Sequence, residues 1–312
     1  MAREVKVSAN TNNHDGPLAP GVWGVVPTPF AGQRREVDAE GLGRLAVFFD
    51  DAGATGLTVL GVFGEASSLN ASERAHVLRT VAEHSKLAIV AGITSIAAGP
   101  AIAEIENAQT TLGPRLRAVM VQVNSARSQD VIEHLQSIHA SSDAPIVLQD
   151  YPKSSGITIS TSQMITITKH CPFVCAVKSE APPTAVAIAR LTANTDLSVF
   201  GGLGGQGLLD ELTAGSAGAM TGFSYPEALV ACVSAWRRGD RDVARAELLP
   251  YMPLINFEQQ PGIALAIRKE LFRRRGIFND AAVRAPAAEF PPELAELAAA
   301  HLEHVETEAV IR

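Results

Sequence analysis

Cysteine, aromatic residues and long apolar runs are all scarce in this chain of 312 residues. Three cysteines, Cys171, Cys175 and Cys232, are too few and too unevenly spaced for a disulfide framework, and they indicate reduced thiols. No apolar stretch approaches the roughly 18 residues of a membrane span, and the polar residues 1–15 lack the apolar core of a signal peptide. We therefore expect a soluble, cytoplasmic protein with no membrane partner.

Positive charge is also in short supply, with 26 basic residues against 33 acidic ones and a formal net charge of −7. Without a Lys/Arg run, such a chain is not expected to bind nucleic acid through its overall field. The eight histidines have neither H-x-H nor H-E-x-x-H spacing, so we predict no metal site. The G-x-S-x-G segment of serine hydrolases is missing as well.

What the sequence does contain is a regular alternation of short β-branched runs and longer amphipathic stretches. Strands are predicted near 21–27, 57–61, 87–92, 117–123, 145–149, 173–178, 197–201 and 217–221. Helices are predicted near 38–52, 72–84, 99–112, 129–140, 160–170, 182–193 and 206–214. Eight evenly spaced strand–helix units favour an α/β fold of the (β/α)₈ TIM barrel type over an open, doubly wound sheet.

The same pattern divides the chain into three parts. We predict a flexible N-terminal leader over 1–20, the barrel over 21–225 and a C-terminal helical extension over 226–312. The extension has no strand-like run, and its helices are expected near 226–238, 240–258 and 262–274. Because barrel enzymes place their chemistry where strands end, the strand ends are where candidate residues are sought.

Lys178 is the most informative candidate, because it closes the apolar run 173–178. Low-dielectric surroundings disfavour an ammonium ion and leave an amine that can form a Schiff base with a ketone. The alternative is a strand-end lysine whose head extends into water. Placement alone leaves both interpretations open.

Two glycine-rich segments are candidates for binding an anion. Gly61-Val62-Phe63-Gly64-Glu65 follows the second strand, and its glycines permit a tight turn whose N–H groups point inward. The segment 202–207 (GLGGQG) formally matches the dinucleotide pattern G-x-G-x-x-G, but it lies in the seventh strand–helix unit instead of the first. We therefore favour a carboxylate or phosphate contact there over a nucleotide site, with an ordinary turn as the alternative for 61–65.

Taken in order, these segments resemble the dihydrodipicolinate synthase / N-acetylneuraminate lyase family of class I aldolases. The segment 24–30 (GVVPTPF) is similar to the family's first strand, and 60–69 (LGVFGEASSL) to its Gly-Thr-Thr-Gly-Glu segment. Lys178 falls where the family's Schiff-base lysine is expected. The resemblance covers nearly the whole chain from residue 21 and implies a TIM barrel, imine chemistry through Lys178, no separate cofactor and a homo-oligomer, either a tetramer or a dimer.

The departures from the family pattern concern its proton relay. Val62 and Phe63 replace both threonines, and Gln149 stands where a tyrosine normally ends the fifth strand. The segments 149–152 (QDYP), 178–180 (KSE) and 218–222 (GAMTG) resemble the branch that includes 2-keto-3-deoxy-L-arabonate dehydratase. Leu254-Ile255-Asn256 followed by Glu258 resembles the same branch.

The resemblance implies a lyase, a dehydratase or an aldolase, for a small-molecule 2-oxo acid such as a 2-keto-3-deoxy sugar acid or a pyruvate derivative. The candidate catalytic residues are Lys178, Gln149 and Glu180, with Glu180 either a general acid/base or a salt-bridged carboxylate outside the pocket. The candidate substrate-binding residues are Gly61, Val62, Phe63, Gly64, Glu65, Gly202 and Met220. The alternatives are a dihydrodipicolinate synthase-type condensation and a keto-acid-binding barrel without catalysis.

Overall fold

The computed structural model describes residues 16–311, with side chains as far as residue 307, and eight of its parallel strands form a closed barrel. The barrel strands are β1 (Gly21–Val25), β4 (Gly56–Val59), β5 (Ala88–Gly92), β6 (Leu116–Gln122), β7 (Ile146–Asp150), β8 (Val174–Ser179), β9 (Ser198–Gly201) and β10 (Gly218–Thr221). They are neighbours in chain order, and β1 closes the ring by pairing with both β4 and β10. The predicted (β/α)₈ barrel is confirmed.

Helices cover the outside of the barrel and continue beyond its last strand. Those within the barrel are α1 (Ala39–Asp51), α2 (Ala71–His84), α3 (Ala98–Leu112), α4 (Ser128–Ser142), α5 (Pro152–Ser155), α6 (Thr161–His170), α7 (Thr184–Thr192) and α8 (Leu208–Thr213). The C-terminal helices are α9 (Pro226–Arg237), α10 (Arg241–Leu248), α11 (Met252–Glu258), α12 (Ala264–Arg274) and α13 (Ala295–Ile311). No helix in the described part of the chain is long and apolar enough to cross a membrane.

Several helices begin where the sequence supplies a capping side chain. Asp38 accepts a hydrogen bond from the Gly41 N–H at 3.0 Å at the start of α1. Asn70 and Glu73 cap α2 reciprocally, each side chain bonding the other residue's backbone N–H. Such caps satisfy N–H groups that the first helical turn leaves free, and they explain why these boundaries were predictable.

Two features differ from the expected pattern. A short hairpin of β2 (Phe30–Ala31) and β3 (Glu36–Val37) lies between β1 and α1. The single helix expected over 240–258 is divided into α10 and α11 by a 3-10 turn at Leu249–Tyr251. Pro250 and Pro253 account for the division, because proline has no N–H to donate within a continuous helix.

The predicted leader falls partly outside the structure, since residues 1–15 are not among those described. Residues 16–20 lie at the N-terminal end of the barrel, and Leu18 is only 1% exposed and belongs to the inner core. The Ser198 hydroxyl donates to the Leu18 carbonyl at 2.6 Å, and the Trp23 indole N–H donates to the Ala19 carbonyl at 3.0 Å. Leu18 therefore packs into the barrel interior from this end, opposite the carboxyl ends of the strands where the candidate residues lie.

Candidate active site

Lys178 lies near the end of β8 with its side chain only 7% exposed. The parallel register places it beside Gln149 of β7 and Phe200 of β9. Its Nζ lies 3.2 Å from Oε2 of Glu180. Since the carboxyl ends of parallel strands meet at one end of the barrel, the register brings the three candidate catalytic residues together.

Glu180 follows β8 directly and is held on several sides. Its N–H donates to the Asp150 carbonyl at 2.9 Å, and its Oε2 accepts from Nε2 of Gln149 at 2.7 Å. Oε1 lies against Gly202, where a Cβ would come within 2.2 Å. A side chain at position 202 would therefore displace the glutamate, so the glycine is required there by packing. Of the two placements considered for Glu180, the structure has the one inside the pocket.

A small pocket opens above these residues at the carboxyl end of the barrel. Of the predicted site residues, it is lined by Gly61, Val62, Phe63, Gln149, Lys178 and Glu180. It is also lined by residues that the sequence did not single out for this role: Val25, Met120, Tyr151, Leu203, Gly204, Thr221, Gly222 and Gln259. An amine, a carboxylate, a phenol and two amides thus face one cavity.

The predicted anion loop forms a 3-10 turn, Val62–Gly64, at the pocket wall. The Gly64 N–H donates back to the Gly61 carbonyl at 2.9 Å, and the Glu65 N–H to the Val62 carbonyl at 3.1 Å. The Val62 and Phe63 N–H groups have no such partner among the described residues, so they are the donors that the loop leaves for a ligand. The N–H of Gly64, a candidate substrate-binding residue, is occupied by its bond to the Gly61 carbonyl.

Four predicted substrate-binding residues do not line the pocket. Gly64 and Gly202 are not among its lining residues, and Met220 is fully buried in the inner core of the barrel. The side chain of Glu65 turns away and pairs with Lys269 of α12. Its conformation explains the difference, because Glu65 has a left-handed backbone with φ of 51° that directs the carboxylate toward the C-terminal extension.

The C-terminal extension supplies one wall of the pocket through Gln259. With its amide oriented so that the oxygen faces donors, Gln259 accepts from Nη2 of Arg268 at 2.9 Å and from the Gly204 N–H at 3.1 Å. Arg268 is itself 1% exposed, pairs with Glu258 through Nε at 2.8 Å and covers the Phe63 ring at 4.2 Å. Of this group, only Glu258 had a sequence signal, in the 254–258 segment. Gln259 directly follows that segment without belonging to it, and Arg268 lies 10 residues beyond Glu258, so no motif identified either residue.

Two buried carboxyl groups, those of Asp150 and Glu211, lie near Glu180 and have no lysine partner among the described residues. Burial, aided by the charge of Glu180, raises the pKa of Asp150 to about 6. Burial raises the pKa of Glu211 to about 7, although a hydrogen bond with Thr184 lowers it. Within the described residues, no group of three or more His, Cys, Asp and Glu side chains is arranged to hold a metal ion. The chemistry that this arrangement offers is nucleophilic attack by an amine with a carboxylate at hand to move protons.

Known proteins with similar sequences and folds share this framework. The family model described as the dihydrodipicolinate synthetase family matches residues 19–304. The chain is 30% identical over 296 residues to the L-2-keto-3-deoxyarabonate dehydratase of Azospirillum brasilense, covering 92% of this chain and 93% of that protein. It is 27% identical over 237 residues to the 4-hydroxy-tetrahydrodipicolinate synthase of Lachnoclostridium phytofermentans, covering 74% of this chain and 80% of that one.

Solved structures give the same result for the fold. The dihydrodipicolinate synthase of Rhodopseudomonas palustris superposes with a TM-score of 0.86 at 26% identity, covering 93% of this chain and 98% of that one. A sialic acid aldolase of Ruminococcus gnavus has a TM-score of 0.80 at 19% identity, covering 92% of this chain and 96% of that one, which bears on the fold alone. This chain therefore belongs to the dihydrodipicolinate synthetase family and is a lyase of the class I aldolase type.

Proposed function

We propose that this lyase dehydrates a 2-keto-3-deoxy sugar acid through an imine with Lys178. The observation that carries the proposal is the grouping of Lys178, Glu180 and Gln149 in one pocket, with 3.2 Å between Nζ and the Glu180 carboxylate. The resemblance to a dehydratase over nearly the full length of both chains supports the same reaction type. The covalent imine takes the place of a separate cofactor.

The substrate carboxylate binds the free N–H groups of Val62 and Phe63. Backbone donors at the start of a tight turn suit an anion, because they are fixed in place and carry partial positive charge. This contact places the C2 carbonyl toward Lys178 across the pocket. Lys178 gives up a proton to solvent and its amine attacks C2 to form a carbinolamine. Solvent returns a proton to the C2 hydroxyl group, which leaves as water and gives a protonated imine.

Glu180 then moves the protons of the elimination. The iminium withdraws electrons from C3, and the Glu180 carboxylate removes a C3 proton to give an enamine. The enamine expels the C4 hydroxyl group, which takes the proton back from Glu180 and leaves as water. Hydrolysis of the remaining imine consumes one water and frees Lys178, so the net reaction is the loss of one water from the substrate. Gln149 cannot titrate, and it orients Glu180 through the hydrogen bond at 2.7 Å.

Phe63 gives the pocket an apolar wall that excludes water. Its ring is covered by Arg268 and faces the pocket in place of a hydroxyl group. Excluding water strengthens the electrostatic contacts of the bound anion and protects the enamine from stray protonation. A condensation reaction that needs a relay of hydroxyl groups is therefore less well supported than an elimination.

Reductive trapping tests the proposal directly. The protein is incubated with pyruvate, or with each of several 2-keto-3-deoxy sugar acids, in the presence of borohydride, and its intact mass and peptide map are measured. We expect a reduced adduct on Lys178. A folded protein that forms no adduct with any of these acids would overturn the proposal in favour of a keto-acid-binding barrel without catalysis.

Product analysis distinguishes dehydration from aldol cleavage. Dehydration lowers the substrate mass by one water and releases no pyruvate, whereas cleavage of the C3–C4 bond releases pyruvate that lactate dehydrogenase and NADH detect. Retention of all substrate carbons in one product is the expected result. Release of pyruvate with a second fragment would assign the chain to the aldolases instead.

We also propose that the chain forms a homo-oligomer, a dimer or a tetramer. Val62 of the pocket wall is 41% exposed and Ile96, in the loop after β5, is 65% exposed, and these apolar side chains support an apolar contact at this end of the barrel. Light scattering after gel filtration measures the mass in solution. A monomer at micromolar concentration would contradict this proposal without affecting the assigned chemistry.

A further inference from the structure

A buried cluster of charged and aromatic side chains holds the loop that presents the Val62 and Phe63 N–H groups. This cluster consists of Phe30, Glu65, Lys269 and Arg284, and we call it the latch cluster. The Glu65 and Lys269 side chains form an ion pair at 6% and 0% exposure. The Arg284 N–H donates to Oε1 of Glu65 at 2.8 Å. Both oxygens of Glu65 are therefore occupied outside the pocket.

The charged side chains of Lys269 and Arg284 in the latch cluster also have further partners. Nζ of Lys269 donates to the Ala282 carbonyl at 2.9 Å and lies 4.3 Å from the centre of the Phe30 ring. The Arg284 guanidinium lies at 4.3 Å from the same ring. It also donates to the Ser68 carbonyl at 3.1 Å, just beyond the loop. The cluster thus joins the loops after β1 and β4 to the C-terminal extension.

The backbone of Glu65 depends on these contacts. Its φ of 51° and ψ of 30° are left-handed values, which disfavour a residue with a Cβ. It joins the 3-10 turn at Val62–Gly64 to a second one at Ala66–Ser68. A glycine would adopt this conformation freely, but it would have no side chain to reach α12. The ion pair therefore both offsets the strained backbone and sets the orientation of the turn before it.

We propose that Glu65 and Lys269 are positioning residues that fix the Val62 and Phe63 N–H groups for the carboxylate of a 2-oxo acid. This inference rests on the proposed function and names the part of the chain that gives the pocket its preference for an anion. Neither side chain reaches the substrate. They act through the loop, and a displacement of about 1 Å in such a site costs about 10²-fold.

The cluster also predicts a pH dependence for the wild-type protein. Burial lowers the pKa of Lys269 to about 8, although the charge of Glu65 and its hydrogen bond raise it. The charged groups that face Lys269 in the described structure are Glu65, Arg284 and Asp280. As the pH rises through about 8, Lys269 loses its proton and Glu65 loses its counter-ion in the ion pair. The preference for an anionic ligand then declines.

Trapping of pyruvate against pyruvamide tests the proposal. The two ketones have nearly the same size, both form an imine through the same lysine, and only pyruvate carries a carboxylate. Adduct formation on Lys178 with cyanoborohydride is measured over a concentration series for the wild type, Glu65→Gln and Lys269→Met. We expect the ratio of pyruvate to pyruvamide trapping to fall by about tenfold or more in both variants, since about tenfold corresponds to a modest displacement of the donors.

Glu270→Gln is the matched control. Glu270 is the next residue on α12 and pairs with Arg273 and Arg274, each at 2.7 Å, without contacting the loop. Its variant loses buried charge from the same helix, so we expect the trapping ratio to remain within about twofold of wild type, as for sites without a shared partner. Equal losses in Glu270→Gln and Glu65→Gln would indicate general destabilisation and overturn the positioning role.

The wild-type protein provides a test that does not depend on folded variants. Between pH 7 and pH 9, the ratio of pyruvate to pyruvamide trapping should decrease, with a midpoint at about pH 8. Both ketones react with Lys178, so any effect of pH on that amine cancels in the ratio. Trapping of both ketones with a ratio that changes in neither the variants nor the pH series would overturn the positioning proposal alone. No trapping of either ketone by the wild type would overturn the proposed function itself.

Discussion

Two lysine–glutamate pairs lie within the same end of the barrel, and they differ in what surrounds the amine. Lys178 pairs with Glu180 and Lys269 pairs with Glu65, and all four side chains are at most 7% exposed. Lys269 also has a carbonyl partner and an aromatic ring, so its polar head is enclosed. Glu180 is the ion-pair partner of Lys178 among the described residues, and the pocket lies beside it. Both lysines are buried, so burial alone does not distinguish a reactive lysine. What distinguishes Lys178 is that its amine lies beside a pocket that a substrate can enter.

The largest expected effect comes from removing the amine that faces the pocket. We predict that Lys178→Met abolishes the trapped adduct and lowers turnover by about 10³-fold or more, because loss of a covalent nucleophile has effects of this order or larger. The measurement is intact mass after borohydride together with substrate consumption. Lys169→Met, at an exposed position on α6, is the control and should behave as wild type. Normal turnover in Lys178→Met would show that Lys178 is not the reactive lysine of the two.

Neutralising the carboxylate of the same pair should separate its two roles. In Glu180→Gln we expect imine trapping of pyruvate to persist, while dehydration falls by about 10²-fold or more, since general acid/base groups contribute about 10²–10⁴-fold. Single-turnover kinetics with a 2-keto-3-deoxy acid measures the second step. Asp150→Asn is the control, because Asp150 ends β7 but does not line the pocket. If both steps fall together, Glu180 serves imine formation as well.

The two pairs should also differ in their effect on folding. Breaking a buried pair by removing one partner costs about 3–5 kcal/mol, so we expect Lys269→Met to lower the free energy of unfolding by that amount. Lys178→Met should cost less, because the pocket lets water reach the remaining carboxylate. Urea denaturation at pH 7 measures both, and Glu65→Gln combined with Lys269→Met should recover part of the loss. Equal costs for the two single variants would mean that the enclosed and open pairs do not differ energetically.

Glu211 is a buried glutamate without a lysine partner among the described residues, so it can be compared with the two pairs. Its pKa is raised to about 7 from an ordinary value of 4.5, so between these values the folded chain holds a proton that the unfolded chain releases. Stability must therefore fall as the pH rises from 4.5 to 7 and level off above it. We expect Glu211→Gln to be more stable than wild type by about 3 kcal/mol at pH 8, with the gain absent at pH 4.5. Thermal melts across this range would contradict the assignment if the gain were independent of pH.

Much of the barrel was predictable because its signals are local. Apolar alternation and capping residues act within a few positions, and the predicted run 173–178 corresponds closely to β8 at Val174–Ser179. The hairpin of β2 and β3 was missed because strands of two residues carry no periodic signal. The division of 240–258 was missed although Pro250 and Pro253 were visible, because the helical apolar pattern continues across both prolines.

The site was predictable only in part, for the same reason. Lys178, Gln149 and Glu180 lie at the ends of neighbouring strands, and parallel strands bring such positions together. Gln259, the residue after α11, lines the pocket, and Arg268 of α12 covers the Phe63 ring, but neither residue belongs to a motif of the sequence. Tyr151, two residues after Gln149 in the segment 149–152, also lines the pocket, although no site role was predicted for it.

The sequence by itself determined the barrel, the family and the lysine at a strand end, since each of these follows from short-range patterns or from motifs in a fixed order. Only the tertiary structure decided which glutamate faces that lysine. Glu65 and Glu180 both belong to motifs near strand ends, but Glu65 is drawn away by a partner 204 residues along the chain. The side chain of a buried carboxylate points toward the positive charge that compensates it. The position of that charge depends on how helices distant in sequence pack against the barrel.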